Sequence, residues 1–75
     1  MPHLRLKLLE GKTESQKQQL AQELVNTMQK VIGFGEESYS VAIEDFSYYE
    51  WRNDVYPNDI MKDEEKLYKK PGYTM

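Results

Sequence analysis

His-Leu-Arg-Leu-Lys-Leu-Leu-Glu-Gly-Lys-Thr-Glu-Ser-Gln, residues 3–16, contains the signals for a strand, a turn and a helix start in that order. Leucine alternates with polar residues over residues 3–9, and a period of two is typical of a half-buried strand. Gly11 supplies a turn. Thr13 and Gln16 form the pattern of a capping box, in which each side chain accepts a hydrogen bond from the other residue's backbone N–H. The stretch therefore predicts a strand over residues 3–9 and a helix that begins near residue 14.

This helix is predicted to continue to about residue 32, because apolar residues recur at helical spacing and form one stripe. The stripe consists of Leu20, Leu24, Val25, Met28, Val31 and Ile32. Gly33 is placed to end the helix with a left-handed cap. A second strand is predicted over residues 39–46, which are rich in β-branched and aromatic types. Strand, helix and strand with short connections predict a βαβ unit with parallel strands and a right-handed crossover.

The rest of the chain is dense in aromatic residues and gives a weaker pattern. Pro57 is expected at the first position of a short helix, where proline is tolerated, and Pro71-Gly72 is expected to end that helix. The sequence thus predicts an α/β fold, with residues 1–75 as a single domain made of one βαβ unit and a short C-terminal helical segment.

The small size of the chain predicts a homo-oligomer. Its 75 residues include no Cys and one His, so neither a disulfide nor a His/Cys zinc site can stabilise the fold. A two-stranded sheet with one helix is not stable alone in water, and its bare strand edges invite pairing with another copy. We therefore expect dimerisation to complete the sheet.

Charge and hydropathy exclude several classes of partner. The net charge of −3 argues against nucleic acid, whose phosphates would require a basic surface. No apolar run approaches 18 residues, which argues against a membrane partner. The N-terminus lacks the apolar core of a signal peptide, and we expect a cytoplasmic protein.

Pro2 is the candidate catalytic residue. Removal of Met1 leaves its secondary amine at the chain terminus, fixed to the start of a strand. An α-amino group titrates near pH 8, and apolar burial or a nearby cation lowers its pKa. The neutral amine can then accept a proton as a general base. A Met-Pro start alone is also common in proteins without this role.

Order and spacing along the whole chain resemble the 4-oxalocrotonate tautomerase family of the tautomerase superfamily. The matching parts are Met1-Pro2 before the alternating strand, residues 8–12 at the first turn, residues 13–17 at the helix start, and residues 41–44 in the second strand. Trp51 and the ending Lys69-Lys70-Pro71-Gly72-Tyr73 resemble the phenylpyruvate tautomerase-like subgroup. The resemblance implies an isomerase that interconverts enol and keto forms of a small 2-oxo acid, without a cofactor or metal. It also favours a dimer, with a trimer of dimers as the alternative.

The resemblance further implies three substrate-binding residues. Lys12 stands where the family's type member has an arginine that binds a substrate carboxylate, and lysine keeps the charge but loses the bidentate fork. Ser40 stands at the position of a second arginine, so a double-arginine clamp is absent and a monocarboxylate with a flat, apolar tail is expected. Trp51 stands at the family's aromatic position beside the proline, where an indole excludes water and stacks on a flat substrate.

Each assignment has an alternative interpretation. Lys12 is otherwise a solvated loop residue, Ser40 an ordinary strand residue and Trp51 a core or interface aromatic. His3 is expected on the sheet face opposite the Pro2 ring. The scaffold also suits a hydratase or a dehalogenase of unsaturated acids, and a non-catalytic oligomeric module is the alternative from another class.

Overall fold

The computed structural model describes all 75 residues, which form two compact units, Met1–Asp45 and Phe46–Met75. The first unit contains strand β1 (His3–Leu9), helix α1 (Glu14–Ile32), a 3-10 turn (Glu36–Ser38) and all but the last residue of strand β2 (Ser40–Phe46). The second unit contains the single helical turn α2 (Tyr48–Glu50), a π-helix (Trp51–Met61) and a 3-10 turn (Glu64–Lys66). No helix combines the length and apolarity needed to cross a membrane.

Strands β1 and β2 pair directly and run in the same direction. The Ser40 N–H donates a hydrogen bond to the Pro2 carbonyl over 3.3 Å. Further along both strands, Arg5 Nε lies 3.1 Å from Glu44 Oε1. Residue numbers therefore rise together on the two strands, which makes the pair parallel. The predicted βαβ unit is confirmed.

Helix α1 has the bounds that its sequence signals predicted. The Thr13 N–H donates to Gln16 Oε1 over 2.8 Å, and the Gln16 N–H donates to Thr13 Oγ1 over 3.1 Å, so the capping box is complete. Gly33 ends the helix with a φ of 99° and a ψ of −161°, so its φ is positive but its backbone is not in the left-handed helical conformation that was predicted, and its N–H donates to the Gln29 carbonyl over 2.9 Å. Local signals alone set the length of this helix.

The sheet has two chemically different faces. Val41 and Ile43 share a groove with residues of α1, so this face lies against the helix. The opposite face is polar and carries the Arg5–Glu44 ion pair. No residue of the first unit is fully buried, and Val31 on α1 is 77% exposed. The first unit alone therefore leaves much of its apolar surface in contact with water.

The prediction that Pro57 starts the C-terminal helix is wrong, because helical structure begins at Tyr48. Ser47 and Glu50 form a second capping box, with N–H to side-chain distances of 2.8 and 3.1 Å. Pro57 lies inside the π-helix, where the Lys62 N–H donates to the Pro57 carbonyl over 3.1 Å. Spacing of i to i+5 is wider than that of an α-helix, in which the proline ring would clash with the carbonyl four residues earlier.

The end expected for this helix is also wrong. Regular structure stops at Met61, and only the 3-10 turn Glu64–Lys66 follows before Pro71-Gly72. Beyond this turn, the Tyr68 side chain is fully exposed. The coarser prediction of a short C-terminal helical segment is confirmed.

Candidate active site

Pro2 stands immediately before β1 and is half-buried. Its carbonyl accepts the hydrogen bond from the Ser40 N–H, which ties this point of the chain to the start of β2. Met1, by contrast, is fully exposed to solvent. The hydrogen bond to its carbonyl thus ties the Pro2 backbone to the sheet, while the Met1 side chain projects into solvent.

Ser40 contacts Pro2 through its backbone and His3 through its side chain. The Ser40 Oγ and His3 Nδ1 atoms are 2.6 Å apart and hydrogen-bonded. Since side chains alternate between the two faces of a strand, His3 and the Ser40 hydroxyl lie on the polar face, whereas the Pro2 ring belongs with the face toward α1. Within one chain, the structure brings Pro2 and Ser40 together only through the backbone.

Lys12 follows the far end of β1. Its Nζ donates a hydrogen bond to the Leu9 carbonyl over 3.2 Å, and the residue is exposed. Strand β1 has seven residues and rises about 3.3 Å per residue, so Pro2 and Lys12 are separated by about 20 Å. A small 2-oxo acid is much shorter than this distance. One chain therefore does not bring the candidate base and the candidate cation together.

Trp51 is the first residue of the π-helix in the second unit, and the preceding capping box sets its backbone. The Trp51 N–H donates to the Ser47 carbonyl over 2.9 Å. Its indole meets the Phe46 ring edge-on, with centroids 6.4 Å apart and an interplanar angle of 75°. The indole Nε1–H donates to the Tyr73 hydroxyl over 3.1 Å. Two aromatic neighbours thus hold the indole on two sides.

Tyr73 contacts the candidate residue Trp51, and the sequence did not predict this contact. Its ring lies at 39° to the Tyr56 ring, with centroids 5.7 Å apart, and Tyr56 is only 9% exposed. The sequence contained the residue in the ending that resembles the subgroup, but nothing in that ending indicates contact with a residue 22 positions earlier. Aromatic content alone does not specify which rings meet.

Lys17 is a largely enclosed cation of the first unit, with 16% of its side chain exposed, and it lies outside the predicted site. Its Nζ lies 2.6 Å from Asp45 and 3.0 Å from Glu14. The hydrogen bond to Asp45, and then the one to Glu14, raise the pKa of Lys17. Because two carboxylates already neutralise this ammonium, we assign it to the packing of α1 against β2 and not to substrate binding.

Comparison with known proteins identifies relatives over most of the chain. The model of the family described as "Tautomerase enzyme" matches residues 2–57, about three quarters of the sequence. A probable tautomerase of Xylella fastidiosa (strain 9a5c) is 42% identical over 73 residues, which cover 97% of this chain and 89% of the relative. Tautomerase PptA of Cronobacter sakazakii (strain ATCC BAA-894) is 33% identical over 76 residues, and the alignment covers 100% of this chain and 100% of the relative.

Solved structures give the same fold. One of the 4-oxalocrotonate tautomerase isozymes from Methylibium petroleiphilum superimposes with a TM-score of 0.64 at 30% identity, covering 67% of this chain and 81% of the isozyme. A homologue of 4-oxalocrotonate tautomerase called YwhB superimposes with a TM-score of 0.59 at 33% identity, covering 61% of this chain and 75% of the homologue.

Proposed function

The chain belongs to the tautomerase family, and from this premise we propose that it interconverts enol and keto forms of a 2-oxo acid with Pro2 as general base. The amine of Pro2, free once Met1 is removed, takes the proton of the enol hydroxyl. The electrons of that O–H bond form the carbonyl, and the C=C electron pair takes the proton back at carbon. The step needs a base, a donor for the charge on oxygen and a water-poor pocket.

The observation that carries this proposal is the position of Pro2. The residue is half-buried at a fixed strand start, while the residue before it is fully exposed. A base on the backbone has no side-chain rotamers to lose, so it is oriented before substrate arrives. The family model also begins its match at residue 2, which is consistent with a functional terminus at Pro2.

Lys12 of a second copy completes the site in this proposal. About 20 Å separate Pro2 and Lys12 within one chain, because the seven residues of β1 lie between them. Antiparallel pairing of two β1 edges places the start of one strand beside the end of the other. In that arrangement, Pro2 of one copy meets Lys12 of the other, and the ammonium can hold the substrate carboxylate.

Homo-oligomerisation is supported by the surface of the first unit. None of its residues is fully buried, and Phe34 beyond α1 is 71% exposed. Apolar surface of this kind is stabilised by burial against another copy. The polar sheet face carries Arg5 and Glu44, and a further layer stacked there would bury an ion pair at a desolvation cost. This favours a dimer over a trimer of dimers, and the native mass of the protein distinguishes them.

Trp51 supplies the flat apolar surface of the proposed site. An indole can stack on a planar enol or on an aromatic tail of the substrate. Ser40 remains a hydrogen-bond donor without the charge of an arginine. One lysine and one aromatic surface suit a 2-oxo monocarboxylate with an aromatic or apolar tail better than a dicarboxylate.

The test is the rate of ketonisation of the enol of phenylpyruvate, combined with intact mass. We expect the mass to lack Met1, and we expect Pro2→Ala to lower kcat/KM by about 100-fold. Pro57→Ala is the matched control, since this proline lies exposed in the second unit and should leave the rate unchanged. Equal rates for Pro2→Ala and the unaltered protein, or full activity with Met1 retained, would refute Pro2 as the base.

A further inference from the structure

Two side chains fix the orientation of the Trp51 indole. Phe46 packs edge-on against it, with ring centroids 6.4 Å apart. Edge-on packing of this type does not by itself select one orientation of the indole. The Tyr73 hydroxyl accepts the indole N–H over 3.1 Å, which removes that freedom because the bond is directional.

Tyr73 is itself held by the interior of the second unit. Its ring contacts Tyr56, which is 9% exposed and follows the fully buried Val55 in the π-helix. Contacts therefore run from the buried centre of the unit through Tyr56 and Tyr73 to the edge of Trp51. The match to the family model ends at residue 57, so Tyr73 lies outside the residues that this model matches.

We propose that Tyr73 is a positioning residue that sets the orientation of Trp51 for stacking on the flat tail of the substrate. The inference rests on the proposed function, in which Trp51 lines the substrate pocket. Tyr73 touches no reacting atom in this scheme, and Trp51 contacts the enol and the keto form alike. Loss of the Tyr73 hydroxyl therefore weakens substrate binding and leaves the proton transfer at Pro2 intact.

The experiment uses Tyr73→Phe, which keeps the ring against Tyr56 and removes only the acceptor. The readouts are KM and kcat on the phenylpyruvate enol and the quenching of Trp51 fluorescence by acrylamide. Trp51 is the single tryptophan of the chain, so its emission reports on this indole alone. Tyr68→Phe is the control, because the Tyr68 side chain is fully exposed.

We expect Tyr73→Phe to raise KM by about three- to tenfold, the range for loss of one neutral hydrogen bond, with kcat within about twofold. Quenching of Trp51 should increase, and Tyr68→Phe should change neither quantity. Tyr73→Ala removes the ring contact as well and should exceed Tyr73→Phe in both readouts.

Unchanged quenching in Tyr73→Phe would overturn the inference, and so would increased quenching with an unchanged KM. A drop in kcat without a change in KM would also overturn it, since that pattern places Tyr73 in the chemical step. Failure of the proposed function is recognised separately, because the unaltered protein would then lack tautomerase activity while the quenching comparison still shows whether Tyr73 holds the indole.

Discussion

Complementation between two impaired variants tests whether the site is shared between copies. Pro2→Ala removes the base, and Lys12→Ala removes the cation. Unfolding the two proteins together and refolding them produces mixed dimers. In a mixed dimer, one site combines Pro2 of the Lys12→Ala copy with Lys12 of the Pro2→Ala copy and is therefore complete. The other site lacks both groups.

The expected magnitude follows from this geometry. Loss of the general base costs about 100-fold in rate, and loss of a charge-assisted contact costs about tenfold. Random pairing makes about half of all dimers mixed, each with one complete site out of two, so the refolded mixture should regain about a quarter of full activity. The two variants mixed without exchange should show about a twentieth, the average of their separate activities.

The assay is phenylpyruvate enol ketonisation at equal total protein, with native mass spectrometry to measure the mixed dimer. The control mixes Pro2→Ala with the double variant Pro2→Ala/Lys12→Ala, which also forms mixed dimers but assembles no complete site. Activity that stays at the parental average, although mixed dimers are abundant, would refute the sharing of one site by Pro2 and Lys12 of different copies.

Three further predictions concern the frame of the first unit. Gly33→Ala should lower the free energy of unfolding by about 1 kcal/mol, because a φ of 99° strains any residue with a side chain, although the added methyl group itself meets no atom within 4 Å. Gly72→Ala is the control and should be near neutral. Equal urea midpoints for the two variants would contradict this prediction. Thr13→Ala should cost about 1 kcal/mol by loss of the helix cap, and an unchanged thermal midpoint would count against it. The hydrogen bond to Asp45 raises the pKa of Lys17 above 10.5, so its stabilisation is full below that pH and is lost as pH rises through the raised value. Lys17→Met should not lose this stabilisation as the pH rises. Urea midpoints that fall equally with pH in both proteins would exclude a contribution from Lys17.

Sequence reasoning predicted the first unit well because its signals are local. Alternation set β1, the Thr13–Gln16 capping box set the start of α1, and Gly33 set its end. Each signal involves residues at most four positions apart, and each is satisfied by backbone geometry or a neighbouring side chain. The tertiary structure did not have to override any of these preferences.

The second unit was harder for a physical reason. Proline favours the first turn of an α-helix, and this preference assigned a helix start to Pro57. The Ser47–Glu50 capping box is an equally local signal and points to a helix start nine residues earlier, at Tyr48, as observed. At Pro57 the helix has the wider i to i+5 bonding of a π-helix, which accommodates the proline. Residue propensities derived from α-helices do not describe a π-helix, so they could not predict that the helix continues through Pro57.

The candidate site divides along similar lines. Lys12, Ser40 and Trp51 were predicted from family positions, and family positions carry no distances. The length of β1 adds the distance of about 20 Å, so in the proposed site the base and the cation of a single chain are too far apart to hold one small acid together. The same first unit has no fully buried residue. Stability and substrate binding thus both require a second copy. In the proposed dimer, the second copy covers apolar surface of the first unit and supplies the cation that one chain lacks near Pro2. The assembly is therefore part of the proposed active site.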